Sequence, residues 1–359
     1  MKISFSGGDL SEEHLSYARQ LGVDGLTCTA SVIPGYAQSR VATVDELRAL
    51  QKQIEAHDLE LLTFRFRPQD TYNILCNPAD RDREIDQICA TLRAAGKVGI
   101  PFVYYNLTPW RSLDTAWAHL PSVPALNPGD LSHGSGPGRY HLASGRGKAD
   151  LLTHTSARAS QDAQSVPEIE NAPYGRISAD ELWDRIRYFY ERVVPTAEEA
   201  GVNVGAHPND PPEPVYRGVE QIHHTVSGLQ KLIDLVPSPR SGLLLCIGTL
   251  HEMGEDTMGA IAHFLQQEKV FQVHFRNPTG TVRAGYYQED FLDEGDLDMH
   301  AVMAMLYQYG FKGNIDPDHA VGIAGDRRGR IGFAWELGYI KALRDGVIKG
   351  PARPVDAAL

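Results

Sequence analysis

No apolar run in the 359-residue chain approaches the roughly 18 residues that a membrane span needs, which argues against a membrane protein. The opening Met1-Lys2-Ile3-Ser4-Phe5 lacks the long apolar region of a secretory signal and reads instead as a strand. Cysteine is scarce: Cys28, Cys76, Cys89 and Cys246 show no paired spacing, as expected of free thiols in a reducing, cytoplasmic setting. Positive charge is in deficit, 34 Lys and Arg against 46 Asp and Glu, for a net charge of −12. Such a surface repels phosphate backbones, so a nucleic-acid partner is not expected and a nuclease is disfavoured. Hydrophobic content of 42% and charged content of 22% are ordinary and leave material for a sizeable core. The length fits two domains or one α/β barrel with an insertion.

Periodicity favours the barrel. Strand-like segments lie at Met1 to Phe5, Gly25 to Cys28, Leu59 to Phe66 and Pro101 to Asn106, and helical patterns follow Ser11, Thr43 and Asp80. From Thr108 to about Ile177 the rhythm stops, and Gly, Pro, Ser and His are frequent. Ser178 to Glu181 then forms a capping-box sequence that restarts helix. Strands ending near His207, Cys246, His274 and Asp316 follow, with a helix expected from Val219 to Val236, a loop from Asn277 to Leu297 and a last helix from Phe333 to Arg344. Eight strands alternating with helices predict a single (β/α)8 TIM barrel over residues 1–350, with a long insertion after strand four. Residues 108–177 are expected to cap the C-terminal face of the barrel, and 351–359 to form a tail.

The chemistry gathers in the second half. His207, Cys246, His274 and the Asp316-Pro317-Asp318-His319 segment each close a strand-like run, and each interval leaves room for one helix and its return loop. Taken singly, each residue has an ordinary reading: a hydrogen-bonded histidine, a buried thiol, a turn aspartate. On parallel strands of one barrel they share a rim, which is the arrangement of a metal site at an active face. Thiolate, imidazole and carboxylate together suit Mn²⁺, Fe²⁺, Co²⁺ or Zn²⁺ better than Mg²⁺ or Ca²⁺. Arg276, beside His274, suits an anionic substrate. Asn106 ends strand four, as a turn cap or a partner for a substrate hydroxyl. Arg65 and Arg67 pair with an acidic side chain or hold a carboxylate; Tyr286 and Tyr287 pack or close over the site. Asp298 reads as a helix cap.

With these motifs in view, the chain resembles the UxuA-type mannonate dehydratases, a branch of the xylose-isomerase-like barrels. The likeness rests on Val103-Tyr104-Tyr105-Asn106-Leu107-Thr108-Pro109, Ala197 to Val202, His207-Pro208-Asn209-Asp210-Pro211-Pro212, Leu245-Cys246-Ile247-Gly248-Thr249, His274-Phe275-Arg276-Asn277, Glu289 to Met299 and Pro317-Asp318-His319. It implies conversion of D-mannonate to 2-keto-3-deoxy-D-gluconate with a divalent metal, manganese first. It also implies His207, Cys246, His274 and Asp318 as ligands and His319 as an acid/base. Arg276 and Asp316 are the further catalytic candidates, and Asn106, Arg276, Asn277 and Tyr287 the substrate-binding ones. A homo-oligomer, dimer or larger, is expected by the same likeness. Asp316 and Ala320 stand where the family pattern has arginine and glycine, and Phe333 where a tyrosine is expected. Asp316 is also a rival to Asp318 for the metal. These departures motivate two alternatives: dehydration of a different sugar acid, or a metal-dependent sugar isomerase or epimerase.

Overall fold

The computed structural model of the chain describes residues 1–108, 141–142, 177–216, 219–284, 286–323, 326 and 329–350. Its centre is a closed barrel of eight parallel strands: β1 (Lys2–Ser6), β2 (Gly25–Thr29), β3 (Glu60–Arg65), β4 (Phe102–Tyr105), β5 (Asn203–Ala206), β6 (Ser241–Cys246), β7 (Val270–His274) and β8 (Asn314–Asp316). Strands adjacent in sequence are adjacent in space, and β8 closes on β1 through Lys2↔Asn314 and Ile3↔Ile315. The expected (β/α)8 architecture is therefore the observed one.

One principal helix follows each strand: α1 (Glu12–Leu21), α2 (Val44–Glu55), α3 (Pro78–Val98), α4 (Ala179–Ala200), α5 (Val226–Asp234), α6 (Thr257–Gln266), α7 (Met299–Gln308) and α8 (Arg330–Lys349). Their starts follow side-chain chemistry. Thr43 and Ser178 form reciprocal capping boxes with Glu46 and Glu181, and Asp298 accepts hydrogen bonds from the backbone N–H groups of His300 and Ala301. The inward stripes are apolar: Leu47, Leu50 and Ile54 of α2, for example, are buried against the barrel. Pro195 lies within α4, which stays a single helix to Ala200.

Three local expectations are corrected. The helix expected from Val219 begins only at Val226, where Thr225 supplies the cap; before it, Val215–Tyr216 pairs antiparallel with Val219–Glu220. The supposed loop after Asn277 contains a hairpin, Asn277–Thr281 against Tyr286–Asp290, which the polar Asn-Pro-Thr-Gly-Thr run concealed. A helix over Pro68–Cys76 went unanticipated. The expected cap and tail lie outside the described residues, apart from His141–Leu142, which pairs parallel with Val321–Gly322 just beyond β8. Among the described residues no helix is long and apolar enough to cross a membrane.

The barrel interior is layered. Alternation turns Thr63 of β3, Gln272 of β7 and Asn314 of β8 inward, where they bond across the lumen: Thr63 Oγ1 to Asn314 Oδ1 at 3.3 Å, Asn314 Nδ2 to Ser4 Oγ at 2.7 Å, Gln272 Nε2 to Thr27 Oγ1 at 3.2 Å. Phe102, Tyr104, Leu244 and Cys246 form an inner apolar cluster beside them. One step further along each strand lies the C-terminal rim.

Candidate active site and metal centre

Four donor groups converge on that rim. One atom each from His207, Cys246, His274 and Asp318 lies within 4.8 Å of the others, a space suited to a single ion. Each arrives by simple geometry. Cys246 and His274 end β6 and β7 and are paired in register, while His207 immediately follows β5. Asp318 sits two residues past β8 with φ at +60°, a left-handed conformation that costs a non-glycine residue energy and persists where its surroundings enforce it. Asp316 does part of that enforcing: its Oδ1 accepts the Asp318 backbone N–H at 3.2 Å, and its Oδ2 accepts Ser4 Oγ at 3.0 Å. The described cluster thus contains Asp318, and Asp316 braces the turn that carries it. Burial pushes the Asp316 carboxyl upward, against the pull of His274.

The donors fit a divalent cation. His207 Nδ1 lies 2.7 Å from the Pro208 carbonyl, so the ring donates there and presents Nε2 to the cluster; the tautomer is assigned from that contact. His274 Nδ1 is 3.1 Å from Asp318 Oδ2, yet buried and without an aligned hydrogen bond, as two groups aimed at a common centre would be. Burial alone would lower the His274 imidazole, but Asp318 and Cys246 beside it raise it overall. A separate cleft of about 620 Å³ at the N-terminal mouth, lined by Lys2, Arg240 and Lys312 among others, holds none of these donors.

Behind the cluster sits Arg276, 3% exposed. Its Nε donates to Glu289 Oε2 at 2.8 Å; one terminal nitrogen reaches Glu252 at 2.8 Å and Glu289 at 2.6 Å; the other reaches Asp210 at 3.0 Å, Cys246 Sγ at 3.2 Å and Thr249 Oγ1 at 3.3 Å. All its donors are engaged within the protein, and one of them places positive charge beside the Cys246 sulfur. Gly248 permits this: a Cβ there would lie 2.8 Å from Arg276 Cβ. Glu252 and Glu289 were not singled out as partners of Arg276 in the sequence, because they lie 24 and 13 residues from it. Burial pushes Glu252 well above the usual carboxylate range, against the pull of Arg276.

His319 is likewise buried. Its Nδ1 is 2.9 Å from Glu289 Oε2, the same oxygen that Arg276 engages, and its Nε2 is 3.3 Å from Asp318 Oδ2. Asn106, beyond β4, accepts from Arg65 at 3.4 Å through its side chain and from Thr71 at 3.0 Å through its backbone carbonyl. The expectation of a substrate contact at Asn277 meets an amide already engaged. Its Nδ2 donates to the Leu292 and Leu297 carbonyls at 2.8 and 3.1 Å, and its Oδ1 accepts Leu297 N–H at 2.9 Å. Asn277 thereby ties the hairpin to the loop beyond it. Tyr287 lies buried on that hairpin opposite Gly280. Phe333 packs edge-on against Phe5, ring centroids 5.2 Å apart, and acts as core.

A protein-family model described as D-mannonate dehydratase (UxuA) matches residues 1–350. The chain is 29% identical over 357 residues to mannonate dehydratase of Enterococcus faecalis, covering 92% of each. To mannonate dehydratase 2 of Halalkalibacterium halodurans it is 28% identical over 338 residues, covering 91% of this chain and 92% of that one. The crystal structure of mannonate dehydratase from Streptococcus suis serotype 2 superposes over 100% of this chain and 98% of that one, with TM-score 0.77 at 24% identity. A D-psicose 3-epimerase from Clostridium cellulolyticum shares the barrel at TM-score 0.57 and 13% identity, over 97% of this chain and 99% of its own. The two structural likenesses speak to fold.

Proposed function

The chain belongs to the D-mannonate dehydratase (UxuA) family, a family of carbon–oxygen lyases, and from that premise we propose that it converts D-mannonate to 2-keto-3-deoxy-D-gluconate with a divalent cation, manganese first, held by His207, Cys246, His274 and Asp318. The observation that carries this reading is the convergence of those four donors on the rim where barrel enzymes keep their chemistry. When bound, the cation supplies Lewis-acid stabilisation of the negative charge that builds beside the substrate carboxylate.

The protein groups divide the remaining work. Loss of water moves one proton from the carbon next to the carboxylate onto a base and one proton from an acid onto the departing hydroxyl, which leaves as water, so the two transfers balance. His319 is placed for the second task. Its Nδ1–H is directed to Glu289, so the Nε2 proton is the one it delivers, on the side facing Asp318. Glu289 acts as a positioning residue that fixes the ring, and Arg276 fixes Glu289 and supports the Cys246 sulfur. Asp316 holds the strained turn that presents Asp318, and Asn106 and Tyr287 contribute to the substrate side. Four buried, free cysteines support a reducing cytoplasmic location.

The test is a coupled assay for 2-keto-3-deoxy acids with metal-loaded protein and a panel of hexonates. D-mannonate is expected to give product. Absence of product from every hexonate refutes the reading, and interconversion of a neutral ketose without any keto-deoxy product moves the protein to the isomerases.

A further inference from the structure

The geometry points to Arg65, rather than Arg276, as the residue that receives the substrate's carboxylate. This inference rests on the sugar-acid reading above and adds the residue that selects the acid. Both arginines approach the rim, from β3 and from just past β7, but their circumstances are opposite. Arg276 has every donor engaged by Glu289, Glu252, Asp210, Thr249 and Cys246. Releasing one for a ligand would strand a buried carboxylate.

Arg65 has almost nothing. Among the described residues no carboxylate makes ion-pair contact with it, although its charge reaches the buried Asp70, and its one hydrogen bond is a long 3.4 Å contact from Nη2 to Asn106 Oδ1. Its Nε is buried without a partner. A buried, unpartnered N–H on a permanently charged group is costly, and the cost is relieved if an anion arrives.

Its placement is also right. Arg65 is the last residue of β3 and, two residues beyond Thr63, faces the lumen. Its guanidinium lies 5.5 Å from the centroid of the Tyr104 ring. His274, a donor of the metal cluster, meets the same ring edge-on at 6.3 Å between centroids. Arg65 and His274 thus both abut the Tyr104 ring, so a carboxylate received by Arg65 lies about one ring's breadth from the donor cluster. Nη2 lies next to Asn106, whose side-chain oxygen it meets at 3.4 Å, so a substrate hydroxyl beside the carboxylate would lie near that amide.

The experiment uses full-length, metal-loaded protein as wild type, Arg65→Met and Arg65→Lys, with D-mannonate and its neutral C1 amide as probes in titration calorimetry. Metal content is measured alongside. Wild type is expected to prefer the acid over the amide by about tenfold to a hundredfold, the range of a charge-assisted contact. Arg65→Met is expected to lose that preference with metal content unchanged, and Arg65→Lys to retain part of it. Arg65→Lys also covers the case in which the methionine variant fails to fold. A methionine variant that still prefers the acid, or a lysine variant that binds acid and amide alike, overturns the assignment. If wild type binds mannonate with the stated preference but forms no keto-deoxy product, the dehydratase reading falls and the Arg65 assignment stands. Wild type that binds neither probe overturns both.

Discussion

The two halves of the barrel rim are built from the same strand ends and do opposite things. On β5 to β8 the terminal residues are donors and acceptors bound to one another: His207, Cys246, His274, Asp318 and His319, backed by Arg276, Glu252 and Glu289. On β3 and β4 the rim carries Arg65 and Asn106, joined by one long hydrogen bond; Arg65 Nε lacks a partner among the described residues, and the Asn106 backbone carbonyl accepts from Thr71. The first set is densely paired around Arg276, with His274 Nδ1 left facing the donor cluster; the second is sparsely paired. A metal needs preset ligands, since their number and geometry select it, whereas a substrate must come and go and is best met by groups still lacking partners. In the proposed reading the β5 to β8 side would hold the cation and the β3 to β4 side the acid.

Substitutions separate the halves. The largest effect is expected on the β5 to β8 side: Asp318→Asn removes an anionic donor while leaving the φ of +60° tolerable, so metal affinity and turnover should both fall, turnover by about a thousandfold or more. Elemental analysis beside the keto-deoxy acid assay checks this, and full metal occupancy in the variant would place the ion elsewhere. Glu289→Gln keeps the size of the side chain but removes the charge shared by Arg276 and His319. It should lower kcat about tenfold to a hundredfold with metal content held and KM little moved, the signature of a lost positioning contact. A change confined to thermal stability would reduce Glu289 to a structural role. The smallest effect is expected on the β3 to β4 side, where Asn106→Ala should raise KM a few-fold, roughly 1 kcal/mol of uniform binding, and leave metal content and kcat alone. Loss of metal from that variant would break the division.

Much of this was visible in the chain. The four donors could be read because each closes a buried run of β-type residues, and parallel strands bring such ends to one rim whatever the intervening helices do. The helices with capping boxes, at Thr43 and Ser178, were placed from their first turn. What resisted reading depends on contacts far apart in sequence. Arg276 looked like a substrate clamp because Glu252 and Glu289 lie 24 and 13 residues from it, and nothing local marks them as its partners. Arg65 was left between pairing with an acidic side chain and holding a carboxylate, because a missing partner leaves no trace in a sequence. The Asn277 hairpin lacks the alternation that betrays a strand, since both faces are partly covered. Phe333, read as a missing proton donor, packs against Phe5 across the join between the two ends of the barrel.

The central claim is a metal centre with a thiolate donor at the rim of β5 to β8, and cobalt titration followed by absorption spectroscopy tests it most directly. Metal-free wild-type protein should bind one Co²⁺ per chain with an intense near-ultraviolet sulfur-to-cobalt band, and Cys246→Ser should lack that band while keeping its fold by circular dichroism. Stoichiometric cobalt binding without the band in wild type, or the same band in Cys246→Ser, would contradict the account.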